Sequence, residues 1–192
     1  MRLIRSLLPA AAGAAALTGL MATGRLTLDA NVMRTEHELG PLVFGFAAPR
    51  ELVYQQLSSP YLGRTPRELR LSLEVVERGT DMVLARHYTD LGNFTSETLE
   101  LVKFEEPSRI TFRHVRGPVP HAIEWFELDE RDGGAATQLT YGGELGIDWG
   151  VVGQLVARFY AVPTWENAVT EHLEGVRQAV EERAAARARR GR

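Results

Sequence analysis

The 192-residue chain contains no cysteine. That excludes a disulfide framework, a thiolate metal site and a catalytic thiol. It leaves the compartment open, because a cysteine-free chain folds equally well on either side of a membrane. Several catalytic signatures are missing as well. There is no Gly-x-Ser-x-Gly elbow, no glycine-rich phosphate loop and no Gly-x-Gly-x-x-Gly after a strand-like run. The five histidines (His37, His87, His114, His121 and His172) show no two-histidine helical spacing of the zinc type, so no metal site is expected and no cofactor is implied. Basic charge is scarce outside the C-terminal end. The last ten residues, RAAARARRGR, hold five arginines, which leaves 17 basic against 25 acidic groups in the rest of the chain. A body of net charge −8 argues against nucleic acid as a partner, since phosphate contacts supply most of that affinity. The Arg-rich end reads as a solvated helix terminus.

What is present is an ordinary globular composition, 44% hydrophobic and 24% charged, in a chain long enough to bury one real core. The N-terminus differs from the rest. Between Arg5 and Arg25 lie nineteen uncharged residues, SLLPAAAGAAALTGLMATG, just enough to span a bilayer as a helix, although Ala and Gly dominate. An uncleaved membrane anchor is the expected reading, with Arg2 and Arg5 placing the N-terminus slightly toward the cytoplasm. A cleaved signal ending near Ala22-Thr23-Gly24 and a helix packed on the body are the alternatives.

From Leu39 the patterns become regular. PLVFGFAA (41–48) reads as a strand and PRELVYQQLSS as a helix opened by Pro49 and stopped near Ser59-Pro60. LRLSLEVVE, MVLARHYT, FTSETLELVKF, RITFRHV, HAIEWFEL and TQLTYGGELGI then follow as six strand-like runs joined by short turns, which implies an antiparallel meander. A parity shift between Leu101 and Val102 suggests a bulge. In the last third the period becomes helical. Asp148 is a plausible N-cap, followed by Trp149, Val152, Val156 and Phe159 on one face. Pro163 should break or kink the helix. Beyond it Trp165, Val169, Leu173, Val176 and Val180 form the stripe of a long amphipathic helix that needs a sheet to lie on.

The order strand, short helix, six strands, long helix resembles the SRPBCC superfamily, which includes START lipid-transfer domains, birch-pollen-allergen-like proteins and polyketide cyclase/dehydrase-like proteins. The likeness is carried by AAPRELVYQQLSSP (47–60), GPVPHAIEWFEL (117–128), TQLTYGGELG (137–146) and the tryptophan-led helix from Trp165. It is greatest to the polyketide-cyclase-like branch and covers about residues 40 to 185. The resemblance implies an α+β helix-grip fold, a curved seven-stranded antiparallel sheet around the C-terminal helix, with the N-terminal apolar helix outside it. The expected division is 1–38 for the apolar segment and linker, 39–185 for the domain and 186–192 for the basic tail. It further implies a small hydrophobic or lipid-like ligand held between sheet and helix. The N-terminal apolar segment, which lies outside the resemblance, adds the expectation of a membrane tether.

Strand parity nominates the polar lining. Ile110 and Phe112 carry His114 inward; Ala122, Phe126 and Leu128 carry Glu124; Met82 and Leu84 carry Arg86 and Tyr88; Leu139 carries Tyr141. The candidate ligand-binding set is therefore Arg86, Tyr88, His114, Glu124 and Tyr141. One use of it is catalytic: His114 and Glu124 as acid and base, with Tyr donating to an oxyanion, in a metal-free cyclase or dehydratase. The reading the residues favour is blander, a structural Arg86–Glu124 pair with a histidine at the sheet rim. A third possibility is an interaction module of the co-chaperone or toxin type.

Overall fold

The computed structural model describes residues 16–90 and 92–190. The elements are β1 (Thr35–Phe46), α1 (Arg50–Leu62), β2 (Leu73–Arg78), β3 (Met82–Asp90), β4 (Thr95–Glu105), β5 (Arg109–Arg116), β6 (His121–Arg131), β7 (Ala136–Ile147), α2 (Gly150–Val156), a π-helical turn (Ala157–Ala161) and α3 (Val162–Arg190). The seven strands form one antiparallel sheet in the order β1-β7-β6-β5-β4-β3-β2. Strands β2 to β7 are the meander, and β1 returns to lie beside β7. The expected helix-grip arrangement of sheet and C-terminal helix is what the chain adopts.

Helix α3 buries Leu173, Val176 and Val180 against the sheet, with Trp165 and Val169 partly buried beside them. Its backbone approaches β1 and α1 most closely, so large side chains occupy the span toward the middle strands. Two of its carboxylates also cover the free edge of β1. Glu166 accepts the Gly40 N–H at 2.8 Å and Glu181 the Ala47 N–H at 3.2 Å, which blunts an edge that could otherwise pair with another chain.

Four expectations need correction. First, Pro60 does not stop α1. It sits in the last turn, where its missing donor costs one bond, and the Gly63 N–H closes that turn on the Ser59 carbonyl at 2.9 Å. Second, β3 has the opposite parity. Val83 and Ala85 are buried and His87 shares their face, while Met82, Leu84, Arg86 and Tyr88 lie on the other. Helix α1 passes close over β3, so the covered row takes small residues, and reading by size picked the wrong row. Third, Pro163 does not break the helix. The backbone widens to a π turn one turn upstream, the position where the proline ring would clash with a carbonyl four residues back. Fourth, Asp148 does not cap α2; the capping position is Trp149, in a left-handed conformation at φ 79°.

The membrane anchor is also overturned. No helix among the described residues is long and apolar enough to cross a membrane. Residues 1–15, most of the expected span, lie outside the described residues. Its described part is helical only over 16–22, then turns and joins the body, the Thr23 carbonyl accepting the Glu97 N–H at 2.9 Å.

From there residues 23–34 cross one end of the sheet as a strap. Thr27 Oγ1 donates to the Gly117 carbonyl at 2.7 Å and accepts the Gly117 N–H at 2.9 Å. Asp148, 1% exposed, accepts from Ala30 N–H at 3.0 Å, Asn31 N–H at 2.9 Å and Arg34 Nε at 2.8 Å. The Arg34 hydrogen bond outweighs burial and lowers the Asp148 pKa. A lowered carboxylate pKa gives stability that is present above the unfolded value of 3.8 and is lost as pH falls through the folded value. Asp148→Ala should cost about 2–4 kcal/mol in urea unfolding at pH 7, because it strands two backbone donors and leaves Arg34 with only the exposed Asp29 as partner. A loss below about 0.5 kcal/mol would show that the strap is not held there.

Candidate functional site

The inner face of the sheet is a ladder of alternating positions. On β4, Ser96, Thr98, Glu100 and Val102 are buried in turn. Glu100 stands opposite His114 on β5, Phe112 opposite Glu124 on β6, and Phe126 opposite Tyr141 on β7. The bulge lies beside this row. Between β4 and β5 the register slips so that Leu99 pairs with Arg116 and Glu100 with His114, leaving Val115 as the extra residue. It therefore belongs to β5, and no parity shift occurs inside β4. Opposite Glu124 stands Gly143, where a Cβ would lie 2.8 Å from the Ile123 carbonyl oxygen and 3.2 Å from Glu124 Cγ. The close approach explains the glycine.

These positions assemble a continuous buried chain of ionisable groups. Tyr61 Oη on α1 lies 2.9 Å from His87 Nε2. His87 Nδ1 lies 3.0 Å from Glu100 Oε2, and His114 Nε2 lies 3.0 Å from Glu100 Oε1. Both contacts have ion-pair distance without hydrogen-bond alignment. Thr98 Oγ1 donates to Glu100 Oε1 at 2.6 Å. His114 Nε2 is 3.7 Å from Glu124 Oε1. The other oxygen, Oε2, accepts from both Tyr141 Oη and Trp165 Nε1 at 2.8 Å. The His114 side chain is 2% exposed and each carboxylate side chain 9%.

Burial disfavours every charge here, and the partners decide which ones survive. For Glu100, desolvation alone would raise the pKa, but the two imidazoles outweigh it and hold the carboxyl well below its usual range. For His114, desolvation pulls the pKa down and the carboxylates, Glu100 above all, carry it above 6.5. For Glu124, desolvation and the Glu100 charge raise the pKa against the opposing effects of His114, Trp165 and Tyr141. The two carboxyl groups are thus driven apart, Glu100 ionised and Glu124 inclined to keep its proton. Tyr61 and Tyr141 are pushed upward by burial first and by the carboxylates second, so both remain phenols. Among the described residues no set of His, Asp and Glu side chains converges as metal ligands.

Three of the five nominated residues, His114, Glu124 and Tyr141, meet in this cluster. Arg86 and Tyr88 do not. Arg86 pairs with Glu74 at 2.7 Å and Glu97 at 3.0 Å, and Tyr88 donates to Glu74 at 3.2 Å, all on the opposite face of the sheet. No Arg86–Glu124 pair forms. Sequence reading missed Glu100, His87, Tyr61 and Trp165. The alternation Ser96, Thr98, Glu100, Val102 could have identified Glu100, but its row is polar where the neighbouring row holds Leu99 and Leu101.

Around the cluster the inner face is aromatic and incompletely covered. Tyr61, Phe104, Phe112, Val162, Trp165 and Val169 pack against the core while only partly buried. Edge-to-face contacts link Tyr61 to Phe112 at 6.3 Å and Phe112 to Phe126 at 5.2 Å between centroids, and Trp165 lies 5.0 Å from the His114 ring. On α3, His172 is accessible, yet desolvation lowers its pKa, the combination expected of a side chain lining a cleft. A separate open groove of about 460 Å³, lined by Glu51, Tyr54, Ser58, Glu106 and Arg187 among others, lies outside α1 and includes none of the cluster.

No protein-family model and no curated protein matches the sequence. Solved structures do match. The chain is similar to the Zhui aromatase/cyclase of a Streptomyces strain (TM-score 0.62, 18% identity, covering 79% of this chain and 96% of that one). It is similar to norcoclaurine synthase from Thalictrum flavum, solved with dopamine and hydroxybenzaldehyde (0.56, 13%, 78% and 87%). It is similar also to Ara h 8.0201 (0.53, 13%, 80% and 99%).

Proposed function

We propose, from the premise that this chain has the helix-grip fold of the SRPBCC superfamily, that it binds a small hydrophobic or amphipathic ligand between the sheet and α3. The observation that carries this reading is the partly buried aromatic wall of Tyr61, Phe104, Phe112 and Trp165 above a largely buried polar floor. A flat apolar body fits that wall, and a hydroxyl or carbonyl at one end suits Glu124 and His114. Ligand pockets commonly combine many apolar contacts with a few convergent polar groups in this way. Two of the similar proteins, an aromatase/cyclase and a synthase holding dopamine and hydroxybenzaldehyde, favour a ligand with an aromatic ring and an oxygen substituent.

The test is a titration of the full chain with 1-anilinonaphthalene-8-sulfonate. Saturable emission is expected, with energy transfer from Trp165. Val169→Trp, which fills the space beside Trp165, should weaken binding at least tenfold at little cost in melting temperature. Equal binding by that variant would place the dye elsewhere and contradict the reading.

A second reading is an acid–base enzyme of the cyclase or dehydratase type, favoured by the opposed protonation of Glu100 and Glu124. In a dehydration, Glu124 or His114 would give its proton to a leaving hydroxyl, which departs as water. A base would take the proton from the adjacent carbon as the double bond forms. His114, raised in pKa, is suited to the acid part and poorly to the base. Turnover lost in Glu124→Gln with dye binding intact would support this reading.

A further inference from the structure

The helix spanning α2 and the π turn is amphipathic in the reverse sense. Its inward positions are Gly153 and Ala157, both buried. A Cβ at Gly153 would lie 2.0 Å from the Asp148 carbonyl oxygen, so only glycine lets the helix sit this close. Val151, Val152, Leu155, Val156, Phe159 and Tyr160 are all between 45% and 71% exposed. At about 100° per residue, 151, 155 and 159 form one stripe and 152, 156 and 160 the next, together covering roughly half the circumference. Gln154 and Arg158 fall at the margin. The stripe that α3 lays on the sheet enters this helix one residue out of phase across the π turn, which leaves Val152, Val156 and Phe159 facing away from the core. Exposed Trp149 and Met33 extend the apolar face at its near end, and the Met33 side chain lies 3.4 Å from where a Gly150 Cβ would be.

We propose that this face is the interface of a homodimer, packing on the same face of a second copy of the chain. At roughly 100 Å² for each exposed apolar side chain, these eight residues offer about 800 Å², the share of one partner in a specific interface. Isolated monomers rarely expose a continuous apolar patch of that size. The face has an apolar centre with a polar margin, and interfaces between identical subunits are the more apolar kind. Charge selects the same partner. The body carries a net charge of −8 apart from the Arg-rich end. This helix, which holds no acidic residue and whose one charge, Arg158, lies at the margin over the Phe159 ring, is a place where two acidic copies can meet without burying carboxylates. A two-fold axis lying between the two paired helices satisfies both copies with the same residues.

The test is sedimentation velocity on the full chain at about 1 to 100 µM, a range that brackets ordinary specific dimers. A dimer is expected. Phe159→Asp and Leu155→Asp should each raise its dissociation constant at least 100-fold and leave the melting temperature of the monomer unchanged. The native chain lacks cysteine, so Val152→Cys provides a clean second readout, a covalent dimer on mild oxidation, which Val76→Cys on the exposed part of β2 should not give. A monomer throughout, a dimer that both Asp variants leave intact, or a monomer that floats with phosphatidylcholine vesicles would each overturn the proposal.

Discussion

Glu100→Gln should destabilise the protein by about 3 kcal/mol at pH 7, because it leaves buried imidazoles without their counter-charge. Glutamine preserves the volume and can still accept from Thr98, so the loss reports charge. Glu124 offsets part of it, since its Oε1 lies 3.7 Å from His114 and ionises more readily once the Glu100 charge is gone. The pH dependence gives a sharper signature. A histidine whose folded pKa is raised contributes stability that is fully present below the unfolded value of 6.5 and is lost as pH rises through the folded value. In the native protein that loss falls above pH 6.5; in Glu100→Gln it should move to lower pH as His114 loses its main partner. Glu100 itself contributes stability above 4.5 that disappears as pH falls through its lowered value, and this acid limb should be absent from the variant. Urea unfolding across pH and imidazole NMR titration measure both. Glu124→Gln should cost about 1 kcal/mol or less, because the amide oxygen still accepts from Tyr141 and Trp165 and the native carboxyl already tends toward its neutral form. Glu74→Gln, at an exposed pair with Arg86, sets the surface reference of about 0–1 kcal/mol. Equal losses from Glu100→Gln and Glu74→Gln would refute the assignment of charges within the cluster.

Leu173→Ala should cost about 2–5 kcal/mol, the range for emptying a buried leucine site. Its side chain is fully buried in the middle of the α3 stripe. Two strands of reasoning place it near the upper end. The helix backbone approaches β1 and α1 most closely, so the sheet cannot collapse onto a cavity at its centre, and Val176 and Val180 are too short to fill it. Glu174→Ala, one residue on, removes only a half-exposed pair with Arg177, worth roughly 0.3–0.5 kcal/mol. Chemical denaturation of both variants measures the difference, and similar losses would mean that the helix is rotated from the phase described.

The long helix was legible because its stripe repeats over about four turns, and the meander because each strand ends at a recognisable turn. His114 and Tyr141 were legible for a related reason: on β5 and β7 one row is clearly the more apolar, and the polar residue simply follows its parity. On β6 the row of Ile123 and Trp125 is nearly as apolar as that of Ala122, Phe126 and Leu128, so Glu124 was only weakly specified. On β3 both rows are mixed, and the approach of α1, invisible in the sequence, selected the smaller row and so exchanged His87 for Arg86. Glu100 was hidden because its row on β4 is the more polar one. It is buried by its imidazole partners on β3 and β5, a relation of register across strands. Trp149, Val152, Val156 and Phe159 could be grouped on one face but not placed, because periodicity reports that a face is apolar without saying what covers it. The N-terminal segment was misjudged for a similar reason. An uncharged Ala/Gly stretch suits a bilayer only weakly, and the contacts that tie residues 23–34 to Glu97, Gly117 and Asp148 are all distant in sequence, so nothing local announced them.

The location of the ligand is most directly tested by isotope-edited nuclear Overhauser spectroscopy of the full chain saturated with 1-anilinonaphthalene-8-sulfonate. Cross-peaks from the naphthalene protons to Phe112, Trp165 and Val169 are the expected result. Cross-peaks confined to Val151, Leu155 and Phe159 on the outer helix face would contradict a binding site between the sheet and α3.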